Sequence, residues 1–138
     1  MSARPAFAHA AAIETSLALF AARCPDPAPI IYARVYSAHP GVEDQFRRDT
    51  RGFIKGEMLA RAFELILDYV GDRRYADAMI AAERATHESY DVPRETFVSF
   101  FAAIRDAVRD TMADDWTLDA ETAWSALLAE LSAHAGVG

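Results

Sequence analysis

The chain has 138 residues, the length of one compact domain, and 52% of them are apolar. A chain of this size buries roughly two thirds of the surface that its unfolded form exposes, and this composition excludes disorder. The net charge of −7 repels phosphate backbones and argues against a nucleic-acid partner.

Cys24 is the single cysteine and lies in the loop-like run Arg-Cys-Pro-Asp-Pro. It has no partner for an intrachain disulfide, which points to a reducing, cytoplasmic setting. Nothing in the sequence supplies a base to make it a nucleophile. The first ten residues lack the uninterrupted apolar core of a leader peptide. No apolar run approaches the roughly 20 residues needed to cross a bilayer, so no membrane partner is expected.

Only six glycines and six prolines occur, and they punctuate the apolar stretches. Alanine, the best helix former, supplies much of the apolar fraction. A first helix is expected over about 8–23, with Ile13, Leu17 and Phe20 on one face and Pro25 ending it. Asp26 reads as the N-cap of a second helix with Pro27 in its first turn. That helix carries Ile31, Val35 and Ala38 on one stripe, with Tyr32 and Tyr36 beside it, up to Pro40. Between Pro40 and Asp49 there is room for one short turn, with Phe46 its only aromatic residue.

A long amphipathic helix follows over about 50–70, in which Met58, Leu59, Ala62, Phe63, Ile66, Leu67 and Val70 keep the three-and-four spacing. Gly71-Asp72 ends it. The stretch 73–88 is weaker, because Glu83 and Arg84 interrupt the stripe of Tyr75, Met79 and Ile80. From about 93 to 112, Phe97, Phe100, Phe101, Ile104, Val108 and Met112 form the most apolar face of the chain. Thr117 reads as the cap of a last helix that buries Trp124, Leu127, Leu128 and Leu131, with Asp119 and Glu121 where the helix dipole favours negative charge. No period-two alternation or hairpin signal survives. The pattern predicts an all-α single domain over 1–138, of six or seven helices, and no internal repeat.

Several residues stand in a telling order. Ile-Tyr-Ala-Arg-Val-Tyr-Ser-Ala-His-Pro begins at Ile31, Phe46 follows Tyr32 by fourteen residues, and His87, Tyr90 and Val92 form His-x-x-Tyr-x-Val. Phe97 lies beyond, and Trp116 to Trp124 opens the last helix. In these residues the chain resembles the globin family, most closely bacterial single-domain globins and the globin domain of flavohaemoglobins. The resemblance runs from Ile13 to Leu131. It implies a globin-like fold of six to eight helices around a haem b pocket, with His87 as the proximal ligand of the iron. It further implies Tyr32 on the distal side, Phe46 against the porphyrin, and Tyr90, Val92, Phe97 and Phe101 around the proximal pocket.

The chemistry agrees with that implication. A neutral imidazole on haem iron leaves the sixth position open for a diatomic gas. A phenol turned into an apolar pocket needs a partner for its hydroxyl, and a bound gas with partial negative charge is one. His39, at a helix end before Pro40, reads as a cap or surface group, and nothing is assigned to His9 or His134.

The residue over the open iron face has two candidate registers. Matching to the proximal histidine puts Lys55 at the distal gate and Leu59 over the haem, with the Lys55 stem free to snorkel. The other register puts Met58 at the gate; the first is preferred because it turns Gly56 and Leu59 toward the haem and keeps Phe63 and Ile66 in the core. Two features depart from the family. Glu83 stands one turn before His87, where an apolar residue is usual, and a buried charge there needs a partner. Phe97 replaces the flavohaemoglobin tyrosine that, with a glutamate beyond this chain, supports the proximal histidine.

The function implied is a carrier, scavenger or sensor of oxygen or nitric oxide, with carbon monoxide a further ligand, and not a dedicated enzyme. With no flavin or nicotinamide domain in the chain, dioxygenase turnover would need an external reductase. A homodimer stays open. The competing readings are a haem-free globin fold acting as a signalling or interaction module, which Glu83 favours, and an ordinary helical bundle.

Overall fold

The computed structural model describes residues 7–136. The absence of a leader, read from the first ten residues, therefore falls mostly outside the described residues, as do the two ends of the expected domain. All regular structure among the described residues is helical, in six α-helices and two short 3₁₀ turns. They are α1 (Ala10–Arg23), α2 (Ala28–Ala38), α3 (Phe53–Val70), α4 (Ala76–Ser89), α5 (Arg94–Met112) and α6 (Leu118–His134). The 3₁₀ turns are Glu43–Phe46, where a short turn was expected, and Ala113–Asp115. No described helix is long and apolar enough to cross a membrane.

The helix starts show how local chemistry fixes these bounds. Thr117 Oγ1 accepts the Ala120 N–H at 3.0 Å, the cap expected for α6. The expected cap of α2 is different: Pro27, not Asp26, holds the N-cap position, with a proline inside the first turn and no side-chain cap bond. Proline lacks an N–H, so the first turn of α2 has fewer donors needing an acceptor.

Two starts are capped from a distance. Asp49 accepts the N–H groups of Ile54 at 3.1 Å and Lys55 at 3.0 Å, across Gly52, whose φ of 73° reverses the chain. α3 therefore begins at Phe53, three residues later than the apolar pattern suggested. Asp68, in the last turn of α3, accepts the N–H groups of Arg74 (3.1 Å), Tyr75 (3.0 Å) and Ala76 (2.7 Å) and so starts α4.

Helix α5 runs through the centre and packs against α1, α2, α4 and α6. Its buried face includes Phe97, Phe101, Ile104, Val108 and Met112. Trp124 of α6 is fully buried, and its indole N–H donates to Ser16 Oγ at 2.9 Å while Ser16 donates to the Ile13 carbonyl at 2.9 Å. A buried indole needs such a partner. Three positions of α3 differ from the expected stripe, since Leu65 and Tyr69 are buried and Leu67 is not. Leu67 is 45% exposed, whereas Tyr69 is buried and donates its hydroxyl to Glu130 at 2.8 Å. The buried face is centred on Leu59, Ala62, Ile66 and Tyr69, which turns Leu67 outward.

Candidate functional site

Helices α3 and α4 flank a cleft of about 320 Å³, with α2 and α5 contributing its other walls. That size is at the lower end of the roughly 300–1,000 Å³ typical of small-molecule and cofactor sites. Tyr32 and Val35 enter from α2, Val42 and Phe46 from the following turn, and Thr96, Phe97, Phe100 and Phe101 from α5. The walls are largely apolar and aromatic: Tyr32 meets Phe46 edge-on at 5.6 Å between ring centres, and Phe97 meets Phe101 likewise at 5.7 Å.

His87 enters from α4, half-buried, with its ring 5.2 Å from that of Phe97. Its Nδ1 lies 2.6 Å from the backbone carbonyl of Glu83, one turn earlier. A carbonyl only accepts, so Nδ1 carries the proton, and in the neutral imidazole the lone pair is on Nε2. Among the described residues Nε2 has no hydrogen-bond partner. A cleft with apolar walls and one oriented imidazole lone pair has the donor chemistry of a haem site with a single protein ligand. No group of three or more His, Cys, Asp or Glu among the described residues could hold a bare metal ion. The residues present thus fit a haem better than a free metal.

The Glu83 side chain is not a buried, lone charge. Its Oε1 lies 2.8 Å from Nη1 of Arg61 on α3, and Arg61 also approaches Glu57 at 3.7 Å. The side chains of Arg61 and Glu83 are 55% and 25% exposed. Both residues line the cleft, so the ion pair lies toward solvent and ties its two flanking helices together.

The structure brings Tyr32, Phe46, Met58, His87, Val92, Phe97 and Phe101 to the cleft. It does not bring Lys55, Leu59 or Tyr90 there. α3 turns Ile54, Glu57, Met58, Arg61, Ala62 and Leu65 to the cleft, and Leu59 falls into the core. Lys55 contributes its backbone carbonyl, which accepts the Tyr32 hydroxyl at 2.9 Å, and its Nζ is 6.0 Å from the centre of that ring. Of the two registers read from sequence, this arrangement has the Met58 face inward. Tyr90 caps the end of α4 and is 74% exposed. The adjacent Asp91 takes φ 60°, a left-handed turn that aspartate tolerates, and Val92 N–H then bonds back to the His87 carbonyl at 2.9 Å.

The Tyr32 phenol is therefore a donor already engaged. Burial, with smaller contributions from Tyr36 and Asp49, raises its pKa far above the ordinary value, so it keeps its proton at any physiological pH. Its neighbour Tyr36 has a buried hydroxyl with no partner among the described residues. His39 ends α2 and sits by Ser99 Oγ at 2.7 Å, outside the cleft lining.

Arg61, Glu57 and Met79 were not singled out from sequence as site residues, yet they line the cleft. The signal that could have found Arg61 was Glu83 itself, a charge at a pocket position that required a cation from another helix. Comparison with family models, with curated proteins and with solved structures finds no match.

Proposed function

We propose that this chain is a globin-like haem protein that binds a diatomic gas, oxygen or nitric oxide, as carrier, scavenger or sensor. The observation that carries the reading is the His87 imidazole, held by the Glu83 carbonyl at 2.6 Å in a largely apolar cleft, with no partner for its other nitrogen among the described residues. Such a second contact fixes the tautomer and ring orientation of a ligating histidine.

Bound haem would supply an iron centre able to take up a diatomic gas. His87 would hold the iron from α4. Phe46, Phe97 and Phe101 would supply flat apolar walls and exclude water, while Met58 and Ile54 would border the opposite side from α3. Tyr32 would offer a bound gas a hydrogen bond only by turning away from the Lys55 carbonyl. The chain offers no nucleophile elbow, zinc motif or phosphate loop, and any redox turnover would draw on an external reductant.

The test is an absorption spectrum of the full chain mixed with haem, oxidised, reduced and under carbon monoxide, beside His87→Ala. The expected result is a sharp Soret band that shifts on reduction and on carbon monoxide, and that His87→Ala displaces or abolishes. A folded helical chain that takes up no haem would sink the reading. The alternative, a haem-free globin fold acting as an interaction module, draws on the Arg61–Glu83 pair, which joins the two flanking helices directly across the cleft.

A further inference from the structure

The half of α4 that carries His87 is held in an unusual way. The buried side chains of α4 are Ala76 and Ile80, both in its first half, and from 81 to 89 none is buried. A helical segment without an apolar anchor draws little stability from packing and opens readily. Charged side chains tie this segment to its neighbours instead. Glu83 reaches Arg61 on α3 at 2.8 Å, Glu88 reaches Arg94 at the start of α5 at 2.8 Å, and Arg84 donates to the His134 carbonyl on α6 at 3.4 Å.

Glu83 has two roles at once. Its carboxylate meets Arg61, and its backbone carbonyl takes the Nδ1 proton of His87. We propose that Arg61 is a positioning residue for His87: by gripping the Glu83 side chain it fixes the turn of α4 whose carbonyl sets the imidazole's tautomer and direction. Arg61 thus acts from the opposite wall of the cleft through a residue that it shares with the histidine. The Glu88–Arg94 pair secures the far side of the same segment, so the imidazole sits between two polar tethers.

This deepens the haem reading and rests on it only in the second arm of its test. In the first arm, no haem is added. The full chain, with ¹⁵N in its histidine rings, is observed by NMR at about pH 8.5, well above the ordinary histidine range. The His87 ring is expected as the Nδ1–H tautomer. In Arg61→Ala the Nε2–H tautomer and the exchange of the ring proton should rise, about two- to five-fold for the loss of one exposed ion pair. Arg61→Lys, which keeps the charge, should restore most of the difference, and so should the reversed pair Arg61→Glu with Glu83→Arg.

The second arm adds haem. The ferrous iron–imidazole stretching frequency should shift in Arg61→Ala and return in the reversed pair. A chain that binds no haem overturns the haem reading, while the ring-nitrogen arm still decides the role of Arg61. An unchanged tautomer and exchange rate in Arg61→Ala overturns the proposal. A lowered urea midpoint with an unchanged ring does so too, because Arg61 would then be only a strap between helices.

Discussion

Tyr32 combines a buried ring with a hydroxyl that the Lys55 carbonyl already engages at 2.9 Å. The resemblance cast that hydroxyl as a donor to bound gas. In the structure its proton is directed along the rim of the cleft, which joins α2 to the first turn of α3. Tyr32→Phe should therefore lower stability even without haem, by about 0.5–1.5 kcal/mol, the usual net worth of such a bond. Urea unfolding of the haem-free chain checks this. A variant as stable as the parent would mean that the Tyr32–Lys55 bond contributes nothing. Because the phenol stays protonated, this stabilisation should not vary between pH 6 and 9. A phenol of ordinary pKa, about 10, would begin to lose its proton toward the top of that range.

Among the helices, α4 owes its first turn to a carboxylate on α3. Asp68 accepts three successive N–H groups, from Arg74, Tyr75 and Ala76, where one side chain usually satisfies one or two. Asp68→Ala should cost about 1–2 kcal/mol and shorten α4 from its start. Amide hydrogen exchange should rise at Arg74, Tyr75 and Ala76, while the last turns of α3 stay protected. Unchanged exchange at those three amides would show that water replaces the cap at no cost.

This is also where sequence reading reached its limit. Thr117 was legible as a cap because its partner is three residues away. Asp49 and Asp68 were not, because they act over five to eight residues and across a loop whose shape depends on Gly52 or on the end of α3. The apolar stripes of α5 and α6 could be read because their buried faces follow helical spacing. Leu67 was misplaced because a regular spacing admits two neighbouring stripes, and tertiary packing chose the one with Tyr69. In the site, His87, Phe46 and Phe97 were legible as an ordered set of residues. The partner of Glu83 was not, since Arg61 is 22 positions away on the preceding helix.

For the molecule as a whole, acid is the informative stress. Partial desolvation raises the carboxyls of both Asp49 and Asp68, but the backbone N–H groups that they accept outweigh it, and both lie below the ordinary range. A carboxyl lowered on folding contributes stability that is fully present above its unfolded value, about 4. That contribution is lost as pH falls through the folded value. The haem-free chain should keep a level stability from neutral pH to about 5 and lose it progressively below about 4. In Asp68→Ala the acid slope should be shallower, as measured by urea midpoints across that range. An equal slope in both proteins would remove Asp68 as a source of the acid sensitivity.

The connection between α3 and α4 bears on how the chain tolerates change. Residues 71–75 are spaced so that three backbone donors converge on the one Asp68 carboxylate, and a single inserted residue would take them off it. An inserted peptide is therefore expected to be rejected there, although the loop is on the surface. In the stretch before Asp49, Arg47 and Arg48 have exposed side chains, so a graft between them leaves the span from Asp49 to the Ile54 and Lys55 donors intact. Exposed loops of that kind accept grafts most readily. A reporter tag belongs in that stretch, where it would leave the spacing of the helices around His87 untouched.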